Sequence, residues 1–456
     1  MVSVDNHRML TPTDTLHQLR TGQLTGLKRL DLSCGLTEFP HEIFDLADSL
    51  EVLNLSQNNL SSLPDDLHRL HKLRIVFCSD NLFTELPTAL GPCKHLEMVG
   101  FKSNLISSVP AAALPARLRW LVLTDNQIDV LPDAIGHCIL LQKVALAGNR
   151  LRSLPEGLAH CQRLELLRIS ANQLTGLPDW LLQMPRLSWL AYAGNPVSLA
   201  QAVISAPIQT IAWSSLRLQH QLGEGASGVI YSASWQADDQ AAPVDVAVKL
   251  FKGAVTSDGW PGCELAAAQA AGPNAHVIGL LGTLAGHPDG LEGLVMPLIA
   301  PNFGTLAQPP SLDSCTRDIY SPTARFLIDK LLRIALGTAK AAAHLHHQGL
   351  LHGDLYAHNL QCDASGDALL GDMGAASFLP TDLAVSHALQ RLEVRAFGCL
   401  LEELLTHCDE ATPSTLATLR DACLNKTAQR PLFENIVEQL AALQVSRLAL
   451  QVSRLA

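Results

Sequence analysis

Apolar positions in the first half of the chain recur with a long period. L-x-x-[LV]-x-apolar-x-x-N begins at Leu50, Leu73, Leu96, Leu118, Leu141, Leu164 and Leu187, in steps of 23, 23, 22, 23, 23 and 23 residues. Asn58, Asn81, Asn104, Asn126, Asn149, Asn172 and Asn195 keep the same steps, as does a proline series from Pro64 through Pro87, Pro110, Pro132 and Pro155 to Pro178. A degenerate first unit begins near Leu27, with Gly35 in the asparagine slot and Pro40 opening the proline series. Each unit predicts a short strand whose alternate leucines point inward, then a turn where the asparagine amide bonds to backbone groups of a neighbour. One unit cannot bury its leucines, so stacking is required, and the pattern predicts a curved solenoid with a parallel strand ladder on its concave side.

The strand register also shows which side chains face the concave surface. Val52, Ile75, Met98, Trp120, Leu166 and Trp189 form one column, interrupted by Arg29 and Lys143. So apolar a stripe on a solvated face points to a contact surface, and its partner is another protein or the second half of this chain. The repeat residues resemble the leucine-rich-repeat family, of the intracellular kind carrying L-P-x-x-[LI] on the convex side, over roughly residues 25–200 in about eight repeats. Residues 1–24 read as an N-terminal cap.

The period stops after Asn195-Pro196, and 201–215 reads as a linker. Beyond it lies Gly223-Glu224-Gly225-Ala226-Ser227-Gly228-Val229, a G-x-G-x-x-G pattern whose missing side chains let backbone N–H groups approach phosphates. The following Val229–Trp235 segment is β-rich, which fits strand, glycine turn, strand and argues against a dinucleotide fold, where a helix follows. Val246-Ala247-Val248-Lys249 then puts a lysine on an apolar strand, where it needs a counter-charge. Glu264, the only glutamate between Lys249 and Leu291, is the expected partner. Further on come His352-Gly353-Asp354-Leu355-Tyr356-Ala357-His358-Asn359 and Asp372-Met373-Gly374.

In order and spacing these motifs resemble protein kinases over about residues 216–442. The resemblance implies a bilobal α+β fold after the α/β solenoid, with ATP and Mg²⁺ as cofactors. It further implies that Lys249 holds the α/β-phosphates, Asp354 accepts the acceptor hydroxyl's proton, and Asn359 and Asp372 hold the metal. Met296, in Leu294–Leu298, takes the gatekeeper slot of a hinge strand beside adenine. Phe326–His347 reads as the long helix before the catalytic loop, Glu393–Gly398 as a D-x-W-x-x-G helix start, and Arg430 as the arginine near the end of the large lobe.

Several positions depart from that pattern. Gly353 replaces the arginine of H-R-D, leaving no cation there for an activation-loop phosphate. Tyr356 stands where many serine/threonine kinases place a lysine. Only 18 residues, 375–392, separate Gly374 from Glu393, without an A-P-E motif, so Arg430 loses its usual glutamate. The resulting expectation is a protein kinase acting on serine or threonine, itself included, with the solenoid choosing or gating the substrate. An ATP-binding pseudokinase scaffold and a small-molecule phosphotransferase of the aminoglycoside or choline kinase type stand as alternatives.

Composition adds limits. With 48% hydrophobic and 16% charged residues, the chain reads as folded throughout, and a net charge of -11 gives no basic field for nucleic acid or acidic lipid. No C-x-x-C pair occurs among the 11 cysteines, and neither a signal peptide nor a membrane-spanning apolar run is apparent, so the expected setting is cytoplasmic signalling. Residues 443–456 hold Leu-Gln-Val-Ser-Arg-Leu-Ala twice, to which no function is assigned.

Overall fold

A computed structural model describes residues 12–199, 208–225, 227–236, 242–253, 255–256 and 258–455, with backbone alone for 199 and 450–455. Ala226, residues 1–11 of the N-terminal segment, 200–207 around the linker and Ala456 lie outside the described residues. The chain divides into two compact units, residues 1–164 and 165–456.

The first unit begins with helix α1 (Pro12–Arg20) and continues as strands β1 (Arg29–Asp31), β2 (Val52–Asn54), β3 (Ile75–Phe77), β4 (Met98–Gly100), β5 (Trp120–Val122) and β6 (Lys143–Ala145). Successive strands pair in parallel and in register. Pro40, Pro87, Pro110, Pro132 and Pro155 each sit extended just before a short 3₁₀ turn, where a fixed φ and a missing N–H cost nothing. The asparagines do what their spacing predicted. Asn58 donates to the Leu32 and Leu55 carbonyls while its oxygen accepts from the Leu36 N–H, and Asn81, Asn104, Asn126 and Asn149 repeat the pattern. The residue before each of these asparagines is left-handed, at Gln57, Asp80, Ser103, Asp125 and Gly148, a regularity that side-chain identity alone does not announce.

The second unit opens with two more repeat strands, β7 (Leu166–Arg168) and β8 (Trp189–Ala191), paired in parallel, with short helices α2 (Asp179–Leu182) and α3 (Pro196–Leu199). A mixed six-stranded sheet follows, from β9 (Thr210–Ala212), β10 (Leu216–Glu224), β11 (Gly228–Trp235), β12 (Val244–Phe251), β13 (Gly282–Ala285) and β14 (Gly293–Pro297), in the order β10-β11-β12-β14-β13-β9. Helix α4 (Pro261–Ala271) leaves β12. The remainder is mainly helical: α5 (Ile328–His347), α6 (Leu383–Thr406), α7 (Ser414–Leu424) and α8 (Phe433–Leu455). Helix α5 begins two residues later than the sequence expectation, and α8 runs on through the duplicated heptads. Among the described residues no helix is long and apolar enough to cross a membrane.

The small sheet has its own apolar core, including Val246, Val248 and Val295. The helical lobe has another, built on Leu331, Leu345, Leu355 and Phe397, and that same cluster includes Leu166 and Trp189 from the repeat strands.

Candidate functional site

Register positions the nucleotide side. Gly228 pairs with Phe251 and Ile230 with Lys249, so the glycine turn between β10 and β11 lies beside the lysine strand. A Cβ at Gly228 would stand 2.5 Å from the Leu250 carbonyl, while Gly223 and Gly225 meet nothing within 4 Å. Gly223 and Glu224 end β10, Val229 follows the turn on β11, and Ser227 is buried within it. The turn closes through the Gly225 N–H donating to the Gly228 carbonyl at 2.9 Å, and Lys252 pins its outer edge on Glu224 at 2.5 Å. On the neighbouring strand Ala247 pairs with Met296.

Lys249 is 5% exposed. Burying an ammonium is costly unless it is paired, and here Nζ lies 2.5 Å from Glu264 Oε1 on α4 and 3.3 Å from Asp372 Oδ1. Burial works to lower the Lys249 pKa, but Asp372 and Glu264 outweigh it and hold the amine above its ordinary value. Glu264 is pushed up to about 7, by burial first and the neighbouring carboxylates second, against the pull of Lys249. One cation thus serves two acids. Partial burial opposes the Asp372 charge, but Lys249 with the Gly374 N–H still holds the carboxyl below its usual range.

The catalytic loop is tied from several sides. His352 Nδ1 accepts from the Asp354 N–H at 3.2 Å and Nε2 donates to the Gly371 carbonyl at 2.9 Å, partners that assign its tautomer. Glu393, 1% exposed on α6, accepts from the Gly353 N–H at 2.7 Å and lies 2.8 Å from His346 Nε2. Asn359 Nδ2 donates to the Asp354 carbonyl at 2.8 Å and to its Oδ2 at 3.0 Å. Asp372 sits in the left-handed region at φ 56°, which turns its side chain toward this loop and Lys249.

Other partners of this loop come from the repeat strands. Arg168, at the end of β7 and 5% exposed, donates to the Gly353 carbonyl at 2.8 Å, to Asp354 Oδ1, and through Nε to Asp258 Oδ1 at 2.7 Å. The Trp189 ring stacks on Tyr356 with centroids 4.2 Å apart, and its Nε1 donates to the Leu355 carbonyl at 3.0 Å. The Tyr192 hydroxyl donates to the Phe378 carbonyl at 2.8 Å.

The structure brings Lys249, Glu264 and Asp372 into one contact group and pairs Asp354 with Asn359. In the concave column, Val52, Ile75, Met98 and Trp120 stand in register within the first unit, and Leu166 pairs with Trp189 in the second. Sequence reasoning missed Arg168 and Asp258. A charged residue two positions along from Leu166 on the same strand face was the only signal for the first, and nothing marked the second.

The donor set suits Mg²⁺. With Asn359 Nδ2 spent on Asp354, its amide oxygen remains as a ligand atom, and the Asp372 side chain is half-exposed. Among the described residues no group of three or more His, Cys, Asp or Glu side chains could hold a metal ion.

Comparison with known proteins finds two families along the chain. The family model for protein tyrosine and serine/threonine kinases matches residues 216–398, and leucine-rich-repeat models match residues 49–70 and 139–197. A calmodulin-binding receptor kinase from Arabidopsis thaliana is 35% identical over 74 residues, which are 16% of this chain and 11% of that protein. The chain thus covers only about a ninth of that relative's length. A solved leucine-rich-repeat protein from Leptospira interrogans is 32% identical with a TM-score of 0.37, covering 39% of this chain and 46% of that one.

Proposed function

We propose, for a chain that joins leucine-rich repeats to a protein kinase domain, Mg·ATP-dependent transfer of the γ-phosphate to serine or threonine hydroxyls of proteins, itself included. The observation that carries this reading is the buried Lys249 held by Glu264 and Asp372, with the Asp354–Asn359 pair on the same site. In this role Lys249 binds the α/β-phosphates, and the glycine turn from Gly223 to Gly228 covers them. Asp354 takes the acceptor hydroxyl's proton, and Asn359 and Asp372 hold Mg²⁺, which would supply charge neutralisation on the phosphates. Phosphoryl transfer asks the protein for positioning and fixed charge more than for covalent chemistry, and these groups are fixed by their partners. The repeats choose or gate the substrate through the concave positions that stay partly exposed, Val52 and Trp120, since Leu166 and Trp189 are buried in the helical lobe's core.

Incubating the full chain with labelled ATP and Mg²⁺ tests the reading. Wild type should label itself or an added protein on phosphoserine or phosphothreonine, and Asp354→Asn should lower the rate by roughly 10²–10⁴-fold. Absence of label on any protein would favour an ATP-binding scaffold, and phosphotyrosine would overturn the residue preference. The packing of repeat strands on the catalytic loop favours one second reading, a compact small-molecule acceptor. Label found only on an aminoglycoside or choline-like alcohol would establish it.

A further inference from the structure

Gly353 is left-handed at φ 75°, and a Cβ there would lie 2.6 Å from the carbonyl oxygens of both Leu190 and Ala375. The residue that departs from H-R-D is thus one where any side chain would collide with strand β8. The guanidinium missing from the loop is present beside it, on Arg168. All three nitrogens of that guanidinium are engaged, by Asp258, Asp354 and the Gly353 carbonyl. Burial works to lower the Arg168 pKa, yet Asp354 and Asp258 outweigh it, so the charge is secure.

This contact is built into the fold. Leu166, two residues before Arg168 on β7, and its register partner Trp189 belong to the apolar cluster of the helical lobe, and Trp189 is 1% exposed. Undocking β7 and β8 would open that core, so the arrangement is no hinged cover. At Asp354, Arg168 takes Oδ1 and Asn359 takes Oδ2, which fixes the carboxylate plane. Each oxygen has a second lone pair, so the group keeps its capacity to accept a proton.

We propose that Arg168, carried on the repeat array, is a positioning residue for phosphoryl transfer: it orients the Asp354 carboxylate and supplies, at the catalytic loop, the positive charge that Gly353 and Tyr356 do not. The inference rests on the reading of Asp354 as the base. It gives the repeats a part in the chemistry in addition to any part in choosing partners.

The test uses the full chain with Arg168→Ala, Arg168→Gln and Arg168→Lys, each checked by thermal melting. With Mg·ATP, Arg168→Ala should lower kcat about 10²-fold while leaving KM for ATP within a factor of about two, because the group acts on the base and not on nucleotide affinity. Lysine should recover part of the rate, as should guanidinium ion added to Arg168→Ala below denaturing concentration; a merely structural residue would show neither. An independent readout is carbodiimide labelling of Asp354 without nucleotide, followed by mass spectrometry. The carboxylate should be protected in wild type and Arg168→Lys and labelled in Arg168→Ala. If Arg168→Ala leaves both kcat and labelling unchanged, the proposal is wrong. A rise in rate would also overturn it, making Arg168 an inhibitory plug. Wild type that transfers no phosphate defeats the kinase reading instead, and the labelling still decides whether Arg168 positions Asp354. Should Arg168→Ala fail to fold, Arg168→Gln carries the same measurements.

Discussion

Around Lys249 the partners come from the kinase fold itself, Glu264 on α4 and Asp372 after the catalytic loop, whereas around Asp354 the loop is also held by Arg168 and Trp189 from repeat strands, with the Leu190 carbonyl close against Gly353. The departures from the kinase pattern are distributed the same way. Lys249, Glu264, Asn359 and Asp372 keep the pattern, while Gly353 and Tyr356 lie where β7 and β8 pack. Arg430 fits this division too. Without its usual glutamate it donates to the carbonyls of Asn425, Arg391 and Pro185, the last on the repeat side, and burial with Arg395 nearby pushes its pKa down to about 10. The departures at Gly353 and Tyr356 coincide with the packing of β7 and β8.

The sharpest way to break this comparison is to remove an aromatic residue from each part of the concave column. Trp189→Ser takes a fully buried ring off Tyr356 and leaves the Leu355 carbonyl without its donor, which should cost about 3–5 kcal/mol in urea unfolding. Trp120→Ser removes a half-buried ring whose recorded cation contact is Lys143 at 4.2 Å, and about 1 kcal/mol is expected. Equal costs would mean that the repeat side of the catalytic loop is no more firmly built than the ladder around Trp120.

A glycine pair gives the next largest contrast. Gly353→Ala forces a Cβ against two carbonyl oxygens at positive φ, for roughly 2–4 kcal/mol of destabilisation. Gly225→Ala meets open space, so its unfolding midpoint should stay within error while Mg·ATP binding weakens. Isothermal titration beside urea unfolding separates the two effects. Loss of nucleotide affinity in Gly353→Ala without loss of stability would contradict the division drawn above.

Much of this was legible in the sequence, for physical reasons that also explain the rest. The repeat period, the asparagine bonds and the V-A-V-K strand are local, since each follows from residue types at fixed spacing. Glu393–Gly398 was read as a helix start, whereas α6 begins ten residues earlier at Leu383 behind the Asp382 cap, and the sequence did not show that the Glu393 carboxylate accepts the Gly353 N–H across 40 positions. Alternation likewise shows that Leu166 and Trp189 face outward from the ladder, and it is silent on what covers them. Arg168 and Asp354 are 186 positions apart, and no periodicity links a solenoid strand to a catalytic loop. The sharp boundary at the end of the repeat period is real in composition, yet the compact units divide at Leu164 and Glu165, because the last two repeats share the apolar core of the helical lobe.

The smallest expected effect concerns a tether of the same loop that owes nothing to the repeats. His358 Nδ1 lies 2.7 Å from Asp318 Oδ1, and the His358 N–H donates to Oδ2 of the same carboxylate at 2.9 Å. Burial works to lower the His358 pKa, but the bond to Asp318, with Asp354 and Asp372 nearby, raises it above 6.5. A histidine whose folded pKa is raised contributes stability that is fully present below the unfolded pKa and is lost as pH rises through the folded value. Unfolding midpoints should therefore fall as pH rises from about 6 toward 8. His358→Gln should flatten that slope while leaving the alkaline midpoint nearly unchanged. The change should be well below that of Trp189→Ser, because this tether spans a single side-chain pair and the repeat contact spans a core. A slope in His358→Gln equal to that of wild type would place the pH-sensitive hold on the loop elsewhere.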